Sequence, residues 1–459
     1  MTLLSAFLSL LSGWSGVFAQ QRTLIRAQRQ ALGALLCLGR STLSRILWTT
    51  GREQSPWTAE YFLHSRVRWD PQQTFAPILQ HSLRYCRGRF LPVAVDDTRL
   101  RKTGRCIVQA QYHRDPLSPP FHVNLVWALR FLQASVLLPL HRRGPFSCRA
   151  VPIRFEEVST VKKPGRRASD EAWQAYRQES KKRNLSQRFV AMLAQLRESC
   201  DQAGAGGKTL LIAGDGSFCN RTVLAGLPAR VELIARSRKD AKLCFRAPQG
   251  SRRFYGRDKF TPEQVRADER IAWQTTKIFY GGKRRTVRYK EVSAVLWQGG
   301  GRRRPLRLLV IAPTPYRKRH SARLYYRQPA YLLTTVLPGS TRQLLQVYFD
   351  RWQIEVNHRE EKDTLGVGQA QLWNVVAVPK QPVLMVAAYA ALLLAALEAY
   401  GCERGDPYAA LPKWRRSAKR PSCLDLITLL RKQVVEHPES VAQLGFQPAC
   451  QQFVAAAAA

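Results

Sequence analysis

Acidic side chains are what this sequence is short of. Its 459 residues carry 32 aspartates and glutamates against 73 lysines and arginines, a formal net charge of +41. Self-repulsion on that scale opposes a compact state unless a polyanion neutralises it. Nucleic acid is the first polyanion to consider, and an anionic membrane surface is the competitor. The ten cysteines stand singly. None forms a CxxC pair and none joins a histidine at zinc-ligand spacing, so they read as reduced core thiols of a cytoplasmic chain. Long apolar runs are scarce. Val383 to Leu397 spans 15 residues, short of the roughly 20 that a membrane-spanning helix needs, and reads as a buried helix. Leu3 to Ala19 is also apolar, and Val17-Phe18-Ala19 looks like a leader cleavage site. No lysine or arginine precedes Arg22, however, and Leu4, Phe7, Leu8 and Leu11 have helical spacing; the stretch is expected to be structural rather than secretory.

What is present supports a sizeable core. Apolar residues make up 45% of the chain, the composition of a globular protein long enough for several domains. Residues 1–88 read as all-helical, with short patterns at Gln30–Leu38 and Ser41–Trp48 hinged at Gly39, a layout similar to a helix-turn-helix and equally to a small bundle. Leu91 to Asp97 is an apolar run ending in acid and reads as a buried strand. Strands are expected at Cys106–His113 and Phe121–Phe131, with a proline-rich turn at 116–120 between them. Residues 132–160 give no clear pattern. A basic stretch, Lys162 to Arg183, leads into a helix expected from Asp170 to Cys200. Thr209 to Asp215 is a second apolar strand ending in acid. Residues 229–336 alternate with a period near two, punctuated by basic turns, and read as a β-rich block. Residues 376–459 read as helical, with a linker at Pro412–Pro421 and an alanine tail.

The most informative stretch is Ser340 to Gly366. Pro338-Gly339 breaks the chain before it, Ser340 with Gln343 resembles a capping start, and Gly366 is a natural stop. It reads as one helix. At about 100° per residue, Glu355 falls inside the apolar stripe of Leu344, Leu345, Tyr348 and Trp352. A carboxylate there costs several kcal/mol unless a cation or hydrogen bonds meet it. Pairing with Arg351 or Arg359 at a core edge is one answer; a metal site is the other. Tyr348, Arg351, Glu355 and Lys362 form a single row on this helix.

Tyr, two residues, Arg, three residues, Glu, six residues, Lys resembles the signature of bacterial insertion-sequence transposases of the DDE type, the insertion-sequence-four superfamily. The resemblance covers roughly residues 91–370. It implies an α/β fold with a ribonuclease-H-like mixed sheet, a β-rich insertion, and helical regions at both ends. The corresponding divisions are 1–88 (helical, binding DNA ends), 89–217 (core), 218–336 (insertion), 337–375 (core, with the glutamate helix) and 376–459 (helical).

The resemblance also implies chemistry. Two Mg²⁺ ions, which Mn²⁺ can replace, would be held by three carboxylates and would clamp the attacking and leaving oxygens of a phosphodiester. The third carboxylate is Glu355. The second is Asp215, in Gly214-Asp-Gly-Ser217, although Gly-Asp-Gly is also a common turn. The first metal ligand is expected to be Asp96, with Asp97 as the alternative. An Asp-x-Thr pattern points to Asp96, an acid-Asp-Thr pattern to Asp97, and adjacent strand residues face opposite ways. Tyr348, Arg351 and Lys362 would contact DNA. Trp352 would stack on an extruded base, unless it is a core tryptophan; Trp297 is a weaker candidate for the same role. Arg99, Arg101 and Lys102 are expected to meet phosphate, and His113, His122 and His358 take no role. The implied partners are double-stranded DNA, at element ends and target, and a second copy in a synaptic dimer, with no membrane. A ribonuclease-H-like nuclease without strand transfer, and an inactive DNA-binding descendant, are the alternatives.

Overall fold

In the computed structural model, residues 1–115, 118–119, 121–139, 148–318, 321–414 and 418–446 are described. The alanine tail, and parts of the proline-rich turn at 116–120 and of the 412–421 linker, lie outside them. Five helices open the chain: α1 (Leu3–Ser12), α2 (Gln21–Leu36), α3 (Leu43–Thr49), α4 (Thr58–Ser65) and α5 (Ala76–Ser82). Side chains cap two of them, Thr2 for α1 and Thr42 for α3. The leader-like stretch is α1, whose Leu3, Leu4, Phe7, Leu10 and Leu11 are buried.

The central sheet begins with β1 (Phe90–Arg101), β2 (Gln111–Arg114), β3 (Leu125–Pro139) and β4 (Cys148–Glu157). Helices α6 (Asp170–Lys182) and α7 (Leu185–Gln202) follow, then β5 (Thr209–Gly214), α8 (Arg221–Gly226) and β6 (Val231–Arg236). Strands β4, β3, β1, β5 and β6 lie side by side in that order. β3 is antiparallel to its neighbours, while β1, β5 and β6 run parallel. This α/β arrangement is the ribonuclease-H-like core. After α9 (Pro262–Ala267), strands β7 (Gln274–Tyr280), β8 (Lys283–Val295) and β9 (Leu306–Ile311) precede a small hairpin, β10 (Pro315–Tyr316) and β11 (Tyr325–Tyr326), and then β12 (Ala330–Thr334). The β-rich block does not form a separate sheet: β12, β9, β8 and β7 continue the core sheet beyond β6.

Several element boundaries differ from the sequence reading. β1 does not stop at the acid pair but runs four residues further, because β3 supplies ladder partners out to Arg101. Only residues 111–113 of the expected 106–113 strand lie in a strand, and the patternless 132–160 stretch holds the end of β3 and all of β4. Both faces of β4 are buried over most of its length, so no alternation was there to be read. The single helix expected over 170–200 is two, because Asn184 ends one and caps the next.

Ser340–Gly366 is likewise not one helix. It divides into α10 (Thr341–Asp350) and α11 (Gln353–Arg359), joined through Arg351 and Trp352, and closes in a wider π turn over Glu360–Thr364. At the joint the amides of Ile354 and Glu355 bond three residues back rather than four, which tightens the winding. Gly366 ends the segment at φ +67°. Helix α12 (Ala377–Tyr400) is longer than the apolar run suggested, and long and apolar enough to cross a membrane by length and composition. It is buried inside the protein, against α1, α2 and β4. Its polar beginning is accommodated: buried Lys380 donates to the Val67 carbonyl at 2.8 Å. Helices α13 (Cys423–Glu436) and α14 (Glu439–Ala442) are the last among the described residues.

Candidate active site

Strand alternation places the first two carboxylates. Ala94 belongs to a core cluster with Leu211, Ala213, Leu344, Leu345 and Ile354. Side chains two apart on a strand share a face, so Asp96 follows Ala94, and Asp215 follows Ala213, onto the face covered by α10 and α11. The last parallel pair between β1 and β5 is Ala94 with Ala213. The two aspartates therefore leave neighbouring strands at the same level. Val93 and Val95 pack in the other cluster, and Asp97 shares their face.

Contacts bear this out. Arg351 donates from Nη1 to Asp96 Oδ2 at 3.3 Å and from Nη2 to Glu355 Oε1 at 3.3 Å. Burial pushes the Asp96 carboxyl up to about 7; Arg351 pulls against this, while the charges of Asp215 and Asp97 add to it. Glu355 is raised by burial too, again with Arg351 opposing and Asp215 adding. The three carboxyl groups thus feel one another, and one guanidinium answers two of them. Asp97 is held elsewhere, by Arg130 Nε at 2.8 Å and Arg99 Nη2 at 3.6 Å. Asp215 caps the short turn after β5, accepting from the Ser217 amide at 2.9 Å. Gly-Asp-Gly here is both a turn and a carboxylate platform. A side chain at Gly214 would sit 3.3 Å from Cβ of Phe218, so this glycine lets the turn close over the strand end.

The remaining row residues divide. Tyr348 is largely buried, its hydroxyl pushed up by burial and acted on by Arg351, Arg236, Asp215 and Glu355. Trp352 is 58% exposed rather than in the core, whereas Trp297 packs partly against the main core. Lys362 lies in the π turn and is lowered by burial, with Glu361, Asp363, Arg99 and Arg101 acting on it; two changes of winding separate it from the helix that carries Tyr348. Lys102 is buried and donates to the carbonyls of Gly368 and Ala370 at 2.6 and 2.7 Å. Its ammonium is thereby committed to the chain itself, not to phosphate. His358 is buried and held near 3, uncharged, by its burial, and His122 is exposed.

Sequence reasoning missed the frame behind the site. Gln133 lies across the β1–β3 ladder from Asp96 and donates to Glu361 Oε1 at 2.9 Å. Ser135, across from Ala94, donates to Asn357 Oδ1 at 3.1 Å. Asn357 in turn donates to the Ala150 carbonyl at 3.1 Å and to the Tyr389 hydroxyl at 3.0 Å. These buried bonds tie the helix carrying Glu355 to the strands beside Asp96. One signal was available: Gln133 and Ser135 interrupt the apolar run from Phe131 to Leu138.

Among the described residues, no three of His, Cys, Asp and Glu stand ready-made around one metal position. The donor chemistry nevertheless fits a hard divalent ion: oxygen ligands only, half-buried, mutually repelling, and bridged by a cation from the chain.

A mixed sheet of this order, with carboxylates gathered where its central parallel strands end, defines the class of metal-dependent nucleases and transposases built on the ribonuclease-H-like fold. A family model described as DDE superfamily endonuclease matches residues 17–304. That span is well over half of the chain, and the chain belongs to this superfamily. Asp96 and Asp215 lie within the match, and Glu355 lies beyond it. No match was found among curated proteins. DDE superfamily endonucleases act on DNA and use divalent metal ions, generally Mg²⁺.

Proposed function

We propose that this protein is a transposase of the insertion-sequence-four kind, cutting DNA at the ends of its own element and joining them to a target. The observation that carries the reading is the Arg351 bridge between Asp96 and Glu355, with Asp215 acting electrostatically on both. Asp96, Asp215 and Glu355 would hold two Mg²⁺ or Mn²⁺ ions, which when bound supply Lewis acidity to the scissile phosphate. Asp97, paired with Arg130 and Arg99, supports β1 beside them.

Arg351 has a second task in this reading. With the carboxylates engaged in holding metal, the Arg351 guanidinium would be free to take a DNA phosphate bidentately. Tyr348 and Lys362 contact the same strand, and Trp352, whose exposure supports the reading, stacks on an unpaired base. The helices of residues 1–88 bind the element ends, residues 218–336 flank the DNA, and two copies meet across two ends. The site of action is the nucleoid, in the cytoplasm.

The test is incubation with DNA carrying the element ends, with Mg²⁺ or Mn²⁺. The parent protein yields free 3′ hydroxyls and joined products. Glu355→Gln binds DNA but does neither. Cleavage without joining would make the protein a nuclease, and full cleavage by Glu355→Gln would reject the site.

A further inference from the structure

Helix α6 is unusual in burying none of its side chains. A 13-residue helix is marginal in water without packing, yet this one is built to persist. The Ser169 side chain caps it, Asp170 and Glu171 occupy its first turn, and Lys181 and Lys182 its last, each sign matching the helix dipole. A helix so finished and so little used by the core has its role on its surface.

That surface is cationic. From Lys162 to Arg183 there are eight lysines and arginines against three acids. Arg183 pairs with Glu179, while the two acids of the first turn serve the cap. Lys163 lies 5.5 Å from the ring of Trp173, which meets Tyr176 edge-on at 5.9 Å. These half-buried rings pack within the arm, leaving Gln174, Arg177, Gln178, Lys181 and Lys182 exposed. Amides and cations in that pattern contact phosphate and sugar oxygens.

The arm also leaves the body beside the carboxylates. Just past Arg183, Asn184 caps α7. Two residues on, the Ser186 hydroxyl accepts from Asn220 Nδ2 at 2.9 Å, and the same Nδ2 donates to the Ser217 carbonyl at 2.8 Å. Ser217 is the residue whose amide holds Asp215. Phe189 stacks on Phe218 with ring centroids 4.2 Å apart. At 1.5 Å per residue the helix is about 20 Å long, reaching roughly six base pairs along a duplex.

We propose that residues 162–183 form a clamp that grips duplex DNA backbone flanking the cut phosphodiester. The proposal rests on the DNA-processing reading above. Charge complementarity favours duplex DNA over an acidic protein, because the base of this cationic arm is tied through Asn220 to the turn that carries Asp215. The test uses the full chain and a short random-sequence duplex, with binding constants measured across a sodium chloride series. Each phosphate contact contributes about 0.9 to the log–log slope, so the combined variant Arg177→Gln, Lys181→Gln, Lys182→Gln should be shallower by about 2 to 3. Its thermal midpoint should match the parent's. If that variant proves unstable, Lys162→Gln with Arg166→Gln and Arg167→Gln, in the loop before the helix, should lose a similar slope. A folded variant with the parent's slope overturns the clamp, as does unchanged DNA binding combined with lost binding to polyglutamate, which would assign the arm to an acidic protein. A parent without steep salt dependence would instead remove the DNA-processing reading itself.

Discussion

Asp96 and Asp97 are neighbours in sequence with opposite environments, and substitution separates them. Asp96 shares its face with the core beneath α10 and α11 and touches Arg351; Asp97 is fixed between Arg130 and Arg99. Asp96→Asn should lower metal-dependent cleavage at least a thousandfold with thermal stability nearly unchanged. Asp97→Ala should instead destabilise the fold by about 1–3 kcal/mol, since it strands two half-buried guanidinium groups. Denaturant melts and plasmid nicking on the two variants decide this, and equal effects on both readouts would contradict the assignment. The sequence favoured Asp96 through its Asp-x-Thr pattern but did not settle the choice, because a period of two gives the faces but not which face is covered. The apolar residues before them, alternating between the two core clusters, supply that answer only once the covering helix is placed.

The glutamate segment carries its own prediction. Glu361 is fully enclosed, and burial pushes its carboxyl up to about 8. The folded state then keeps a proton that the unfolded chain gives up near its ordinary value of 4.5. Stability from this group is therefore fully present below about pH 4.5 and lost as pH rises toward 8. The parent should lose stability across that window by up to about 1 kcal/mol per pH unit relative to Glu361→Gln, which cannot ionise. Matched pH-dependent melts check it, and parallel curves would refute it. Gly366→Ala tests the segment's end: at φ +67°, with Gln369 and Ser41 too close for an added methyl, it should cost about 1–3 kcal/mol. The row of Tyr348, Arg351, Glu355 and Lys362 was legible as spacing. The break at Arg351–Trp352 was not, because no proline or glycine marks it, and the contact of Arg351 with a strand 255 residues away is tertiary. Gln133 and Glu361 stayed hidden for a related reason: they lie 228 residues apart and meet only once the π turn packs against β3.

At the scale of the whole molecule, one sheet joins what the sequence divided. The acid-tipped strands and the β-rich texture of 229–336 were readable as patterns, but the continuation of β6 into β12, β9, β8 and β7 is a matter of edge pairing that no local pattern encodes. Helix α12 is the hub for both ends of the chain, packing against α1, α2 and α13. Leu392→Ala, at a fully buried position of α12, should therefore cost about 2–5 kcal/mol and loosen the N-terminal helices together with the core. A single cooperative melt at lower temperature is the expected result; separate transitions would mean the ends fold independently. The central claim is that residues 96, 215 and 355 share one divalent-ion site. Its most direct test replaces Mg²⁺ with Fe²⁺ and ascorbate, so that radicals formed at the ion cut the nearby backbone. The account predicts fragments ending near Asp96, Asp215 and Glu355, suppressed by excess Mg²⁺ and lost together in Asp215→Asn. Cuts elsewhere, or cuts near Asp96 and Glu355 that survive Asp215→Asn unchanged, would contradict it.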